Sequence, residues 1–112
     1  ALWDCMTAKD ADAALGIRQR ELLAGVAAGA RYAEAYQAVI EVDTETQLRN
    51  LQCPTLVFAG TLDPLYGQLD AAFRLLTQGR KAEIAGARTF ICERQAAEVA
   101  ALLTDFFGAA NV

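Results

Sequence analysis

Cys53-Pro54-Thr55-Leu56-Val57-Phe58-Ala59-Gly60-Thr61-Leu62-Asp63-Pro64 is the stretch whose reading decides the fold. From Leu56 to Ala59 the residues are apolar without alternation, and Pro54 and Gly60 bound the run. So short and continuous a run reads as a strand buried on both faces, as in a parallel sheet. Residues 61–64 form the loop that leaves it.

Downstream, Leu69, Ala72, Phe73 and Leu76 recur at helical spacing, and Gly79 is expected to end that helix. Residues 81–85 read as a second strand, polar enough to suit a sheet edge. Residues 86–92 form a loop. Val99, Leu102, Leu103, Phe106 and Phe107 then mark a last helix that Gly108 is expected to stop. This succession implies two parallel strands joined by a right-handed crossover. Two strands do not make a stable sheet, and the first is too apolar to leave an edge open.

Upstream, residues 1–50 read as wholly helical. Asp10 or Asp12 is placed to cap a stretch carrying Leu15, Leu22, Leu23 and Val26, with Gly29 at its end. Tyr32, Ala35, Tyr36, Val39 and Ile40 follow the amphipathic helical spacing. Asp43 and Thr44 open a further short turn or helix. None of this supplies a strand, so the second neighbour of residues 55–60 is expected from another polypeptide or from a missing N-terminal segment. The chain begins at Ala1 without methionine, which fits either clipping or release from a longer precursor. Two domains are expected: a helical lid or cap over residues 1–50 and a βαβα part over residues 51–112.

Composition narrows the function. Hydrophobic residues make up 54% of the 112 residues and charged residues 21%, a globular balance. The net charge of −4 and the scattered basic residues exclude a nucleic-acid footprint. No run approaches the about 20 apolar residues of a membrane helix. Cys5, Cys53 and Cys92 lack metal-site spacing, so neither metal nor cofactor is expected; as an odd set they read as reduced, semi-buried thiols of a cytoplasmic protein. The sequence holds no histidine and no serine, so a serine nucleophile with a histidine base is impossible within it.

The segment from Cys53 to Pro64 resembles the late strand and acid loop of α/β-hydrolases: a Pro-Thr-Leu-Val strand, a Gly, two residues, then Asp. Gly86-Ala87-Arg88-Thr89-Phe90 stands where that family carries a Gly-x-x-His loop, and residues 93–107 resemble its final helix, with a Leu-Leu-x-Asp-Phe ending at Leu102 to Phe106. The resemblance covers roughly residues 48–107. It implies the C-terminal part of an open, mostly parallel α/β sheet, with the site at the carboxyl ends of the strands beneath the lid. Asp63 matches the family's acid, which orients the histidine. The histidine position falls on Thr89, which cannot act as a general base. Gly25-Val26-Ala27-Ala28-Gly29 has the glycine spacing of a nucleophile elbow, but it sits in a helical stretch with Ala27 at its centre.

The expected site is therefore Asp63 as catalytic acid, with Thr89, Tyr32 and Tyr36 lining a pocket for a small apolar substrate. Ordinary turn and packing roles compete at each position: Asp63-Pro64 can be a turn, the tyrosines can be helix packing, and Cys92 can simply pack while Glu93 begins the last helix. Two functions follow. In one, the chain is a subunit or processed fragment of a split α/β-hydrolase-like enzyme, inactive alone, whose nucleophile lies on a companion chain. In the other, it is a non-catalytic ligand-binding or scaffolding homologue that has lost the triad.

Overall fold

The computed structural model describes residues 2–110 and is mixed α/β. It divides into two compact units, residues 1–44 and residues 45–112.

The first unit is helical: α1 (Leu2–Lys9), α2 (Leu15–Ala28) and α3 (Arg31–Glu41). Neither aspartate caps α2. Asp10 is fully buried between α1 and α2, where its carboxylate accepts the Asp12 N–H at 3.2 Å and its carbonyl accepts the Ala13 N–H at 3.2 Å. It closes the turn, and α2 starts after Ala14, which offers no side-chain cap. Gly29 ends α2 as expected, with a φ of 54° that suits glycine. Met6 and Ala13 are buried, and the Arg18 guanidinium lies 5.6 Å from the Trp3 ring centroid. The apolar stripe of α3 is not covered: Val39 and Ile40 are 72% and 76% exposed. The Gly25–Gly29 spacing falls within and at the end of α2, so it has no strand before it.

The second unit opens with α4 (Thr44–Arg49), whose first residue belongs to the preceding unit, and continues with β1 (Thr55–Gly60), a 3₁₀ turn (Tyr66–Gln68), α5 (Leu69–Leu75), β2 (Gly79–Ile84), α6 (Ile91–Arg94) and α7 (Ala96–Ala110). The strands pair in parallel, Thr55 opposite Gly79 through Gly60 opposite Ile84. Side chains alternate across a sheet, so the two faces separate by residue parity. On one face Lys81 reaches Asp70 of α5 at 2.5 Å, and Gly79 lies under Phe73 and Leu76. On the other, Arg80 reaches Asp105 of α7 at 2.7 Å and lies over Phe106 at 5.8 Å. Helices thus cover both faces. Leu69, Ala87, Phe90, Val99 and Phe106 are buried in this unit.

Three boundaries differ from expectation. Gly79 does not end α5, which stops at Leu75; it opens β2, at a point where a Cβ would stand 2.8 Å from the Leu76 Cβ. The second strand therefore runs four residues from the helix end, over 79–84 rather than 81–85. The last helix is broken at Gln95 (φ −118°, ψ 42°) and then passes through Gly108 to Ala110. β1 is also less buried than its composition implies: only Gly60 is buried, and the five residues before it are half-buried. α5 packs against β1, and one edge of the strand opens on a hollow.

Candidate functional site

Asp63 lies three residues beyond the end of β1 and is half-buried. The loop that carries it is clamped to the loop after β2 by reciprocal bonds. Thr61 N–H donates to the Ile84 carbonyl at 3.1 Å, Leu62 N–H to the Ala87 carbonyl at 3.0 Å, and Gly86 N–H to the Thr61 hydroxyl at 2.8 Å. The clamp demands two glycines. A Cβ on Gly60 would lie 2.2 Å from the Ala87 carbonyl oxygen, and Gly86 has a φ of 72°. Within the loop, the Asp63 carboxylate accepts the Leu65 N–H at 2.8 Å, and its carbonyl accepts the Tyr66 N–H at 3.0 Å. One carboxylate oxygen therefore serves the turn.

A hollow of about 450 Å³ opens beside these loops. Residues of β1, Leu65 and Leu69 beside it, and Asp63, Arg88 and Ile91 at the carboxyl end all contribute to its wall. Consecutive β1 residues from Leu56 to Gly60 line it, so it runs along the strand's edge rather than over one face. Only its far end, by Asp63 and Arg88, lies beyond the carboxyl ends of the strands, the region where open α/β sheets bind ligands.

The structure brings Asp63 together with the loop of residues 86–90, but the wall there is made by Arg88 and Ile91, not by Thr89, which is exposed on the same loop. Arg88 was missed from sequence because its place at the rim depends on the approach of Gly60 to Ala87. A carboxylate, a guanidinium and the Gln68 amide on a largely apolar wall can orient a polar group of a bound molecule.

Tyr32 and Tyr36 belong to the helical unit. They stand one turn apart on α3, rings 5.2 Å apart and tilted by 53°, hydroxyls 3.3 Å apart. Their shared hydrogen bond, above all, pushes Tyr32 up to about 12 and holds Tyr36 below the ordinary phenol, with the Lys9 ammonium adding to the second effect. Tyr66 is also raised, chiefly because its hydroxyl donates to Glu83 at 2.9 Å.

The three cysteines are free and exposed rather than semi-buried. Cys92 lies in α6, with Glu93 beside it. Among the described residues, no group of acidic, cysteine or histidine side chains could hold a metal ion, and no helix is long and apolar enough to cross a membrane. No family model, curated protein or solved structure matches the chain.

Proposed function

We propose that the chain is the C-terminal portion of an α/β-hydrolase-like protein, a subunit or processed fragment that adds the acid loop and the last two strands to a site completed by a companion chain. The observation that carries this reading is the placement of Asp63: it follows β1 by three residues, at the carboxyl end of a parallel pair, with the loop after β2 clamped against it. Asp63 orients a histidine supplied by the companion, which also brings the nucleophile and oxyanion donors. Residues 1–50 take the lid role that the resemblance assigns them, and Arg88 and Ile91 stand beside Asp63 where the resemblance expects Thr89. The exposed thiols suit a reducing, cytoplasmic setting.

A second reading has its own support. Thr89 stands where the resemblance calls for histidine, and one Asp63 oxygen is engaged by Leu65 N–H. Both fit a non-catalytic homologue that binds a ligand or scaffolds a partner.

Native mass spectrometry of the protein from its own source tests the first reading. A stable heteromer with a larger chain bearing a nucleophile elbow and a histidine is the expected result. A companion that lacks the elbow favours the second reading, and no companion at all overturns the first. The purified chain alone should not hydrolyse a generic ester; robust turnover would refute its role as a partial site.

A further inference from the structure

Thr55 N–H donates to the Gln78 carbonyl at 2.9 Å, and Thr61 N–H to that of Ile84 at 3.1 Å. Odd-numbered residues of β1 therefore turn their amides and carbonyls toward β2. The alternation of a strand turns those of Leu56, Phe58 and Gly60 the other way, into the hollow. None of the described residues pairs with the amide or carbonyl of Leu56 or Phe58. The Gly60 carbonyl accepts Asp63 N–H at 3.0 Å and keeps a second lone pair.

The two edges of the sheet differ in charge. β2 carries Arg80, Lys81 and Glu83, the kind of residues that keep an edge from pairing with another chain. β1 carries none, and the sequence is uncharged from Leu51 to Leu62. No proline or bulge interrupts the strand. The strand itself thus has none of the usual features that hold a second strand off, and the charges beside this edge, Asp63 and Arg88, stand at its carboxyl end.

We propose that this edge is where a second copy of the chain docks when the chain is on its own, the two β1 strands pairing antiparallel about a twofold axis at Phe58. The three outward residues are symmetric about Phe58, so the edge is complementary to itself. Phe58 exchanges both its bonds with Phe58 of the second copy, and Leu56 meets Gly60. Asp63 then falls opposite Cys53, so no charged residue of β1 or its flanks opposes another. The axis is perpendicular to the sheet, which keeps both α5 helices on one face and both α7 helices on the other. The result is a continuous sheet in the order β2–β1–β1–β2. Leu65, 72% exposed at the edge of the hollow, is placed to be covered by it. The inference stands apart from the hydrolase-like reading, since a companion chain that takes this edge would displace the second copy.

Hydrogen exchange on the purified full chain, read beside its mass in a dilution series, tests the pairing. The expected result is a species of twice 12.0 kDa that dissociates on dilution. The Leu56 and Phe58 amides should be protected only in the dimer, whereas Val57 and Ala59 stay protected in both states. Phe58→Pro removes an outward N–H and no bond to β2, and should give a monomer that keeps the β1–β2 ladder. If that variant fails to fold, the dilution series on the unsubstituted chain still decides. A monomer at every concentration overturns the proposal. So does a dimer whose Leu56 and Phe58 amides exchange freely, or protection of those amides only when a companion chain is added. The absence of a companion in the native source would overturn the split-enzyme reading and leave this one standing.

Discussion

Gly60 and Ala87 approach so closely that a methyl group on Gly60 would lie 2.2 Å from the Ala87 carbonyl oxygen and 2.7 Å from its Cβ. The contact joins the ends of the two strands, and the partner is backbone, which cannot swing away. Gly60→Ala should cost about 1–3 kcal/mol, in the range of overpacking in a closed interior. Gly108→Ala, in α7 with open space around it, should instead stabilise by up to about 1 kcal/mol. Urea melts of the two variants check the contrast; equal effects would mean that the approach is not close.

Asp63→Ala leaves the Leu65 N–H without the carboxylate it now meets at 2.8 Å. A loss of about 1 kcal/mol is expected from that bond. Asp63→Asn keeps an acceptor and should restore most of the stability. If activity in a heteromer falls equally for both variants while only Asp63→Ala loses stability, the negative charge is what the reaction needs. A stability loss in Asp63→Asn as large as in Asp63→Ala would mean that the turn bond is not the cause.

The Lys81–Asp70 pair joins β2 to α5, and the hydrogen bond between them lowers the Asp70 pKa and raises that of Lys81. A lowered carboxyl stabilises the fold above its unfolded pKa, and the contribution fades as pH falls through the folded value. A raised ammonium does so below its unfolded pKa and loses it as pH rises through the folded value. The tie should therefore be intact across neutral pH and open at both extremes. Exchange of α5 amides against pH, with Asp70→Asn flattening the acid limb, checks it. The pair is exposed, so high salt should weaken it.

Spectrophotometric titration of the phenols should find one below the ordinary value and one near 12 for the Tyr32–Tyr36 pair. Two such steps belong to the coupled pair. Tyr36→Phe removes the main cause of the Tyr32 shift and should bring that phenol back toward 10.0. An unchanged late step in the variant would assign it to another tyrosine.

The sheet was legible because its signal is local. An apolar run between Pro54 and Gly60, a helical stripe and a second short run suffice to give a parallel β-α-β unit. The boundaries were less legible where a distant neighbour decides them. Gly79 looks like a helix stop, but its pairing with Thr55 of β1 puts it in the strand, close under Leu76 and Phe73. Asp10 looks like a cap, yet burial in the α1–α2 turn gives it a different bond. Gln95 carries no breaking signal, although the helix breaks there. Asp63 could be placed at a strand end by spacing alone. Arg88 could not, since nothing in its neighbours records that its loop folds against Gly60.

The charges on β2 bear on more than one edge of one molecule. A sheet that is open and apolar on both sides can add copies without end. Here Arg80, Lys81 and Glu83 guard one side, so each chain can accept a strand only beside β1. Growth by this route terminates after a single addition and cannot propagate into a fibre, which makes the polar composition of β2 a chain-length control for the assembly.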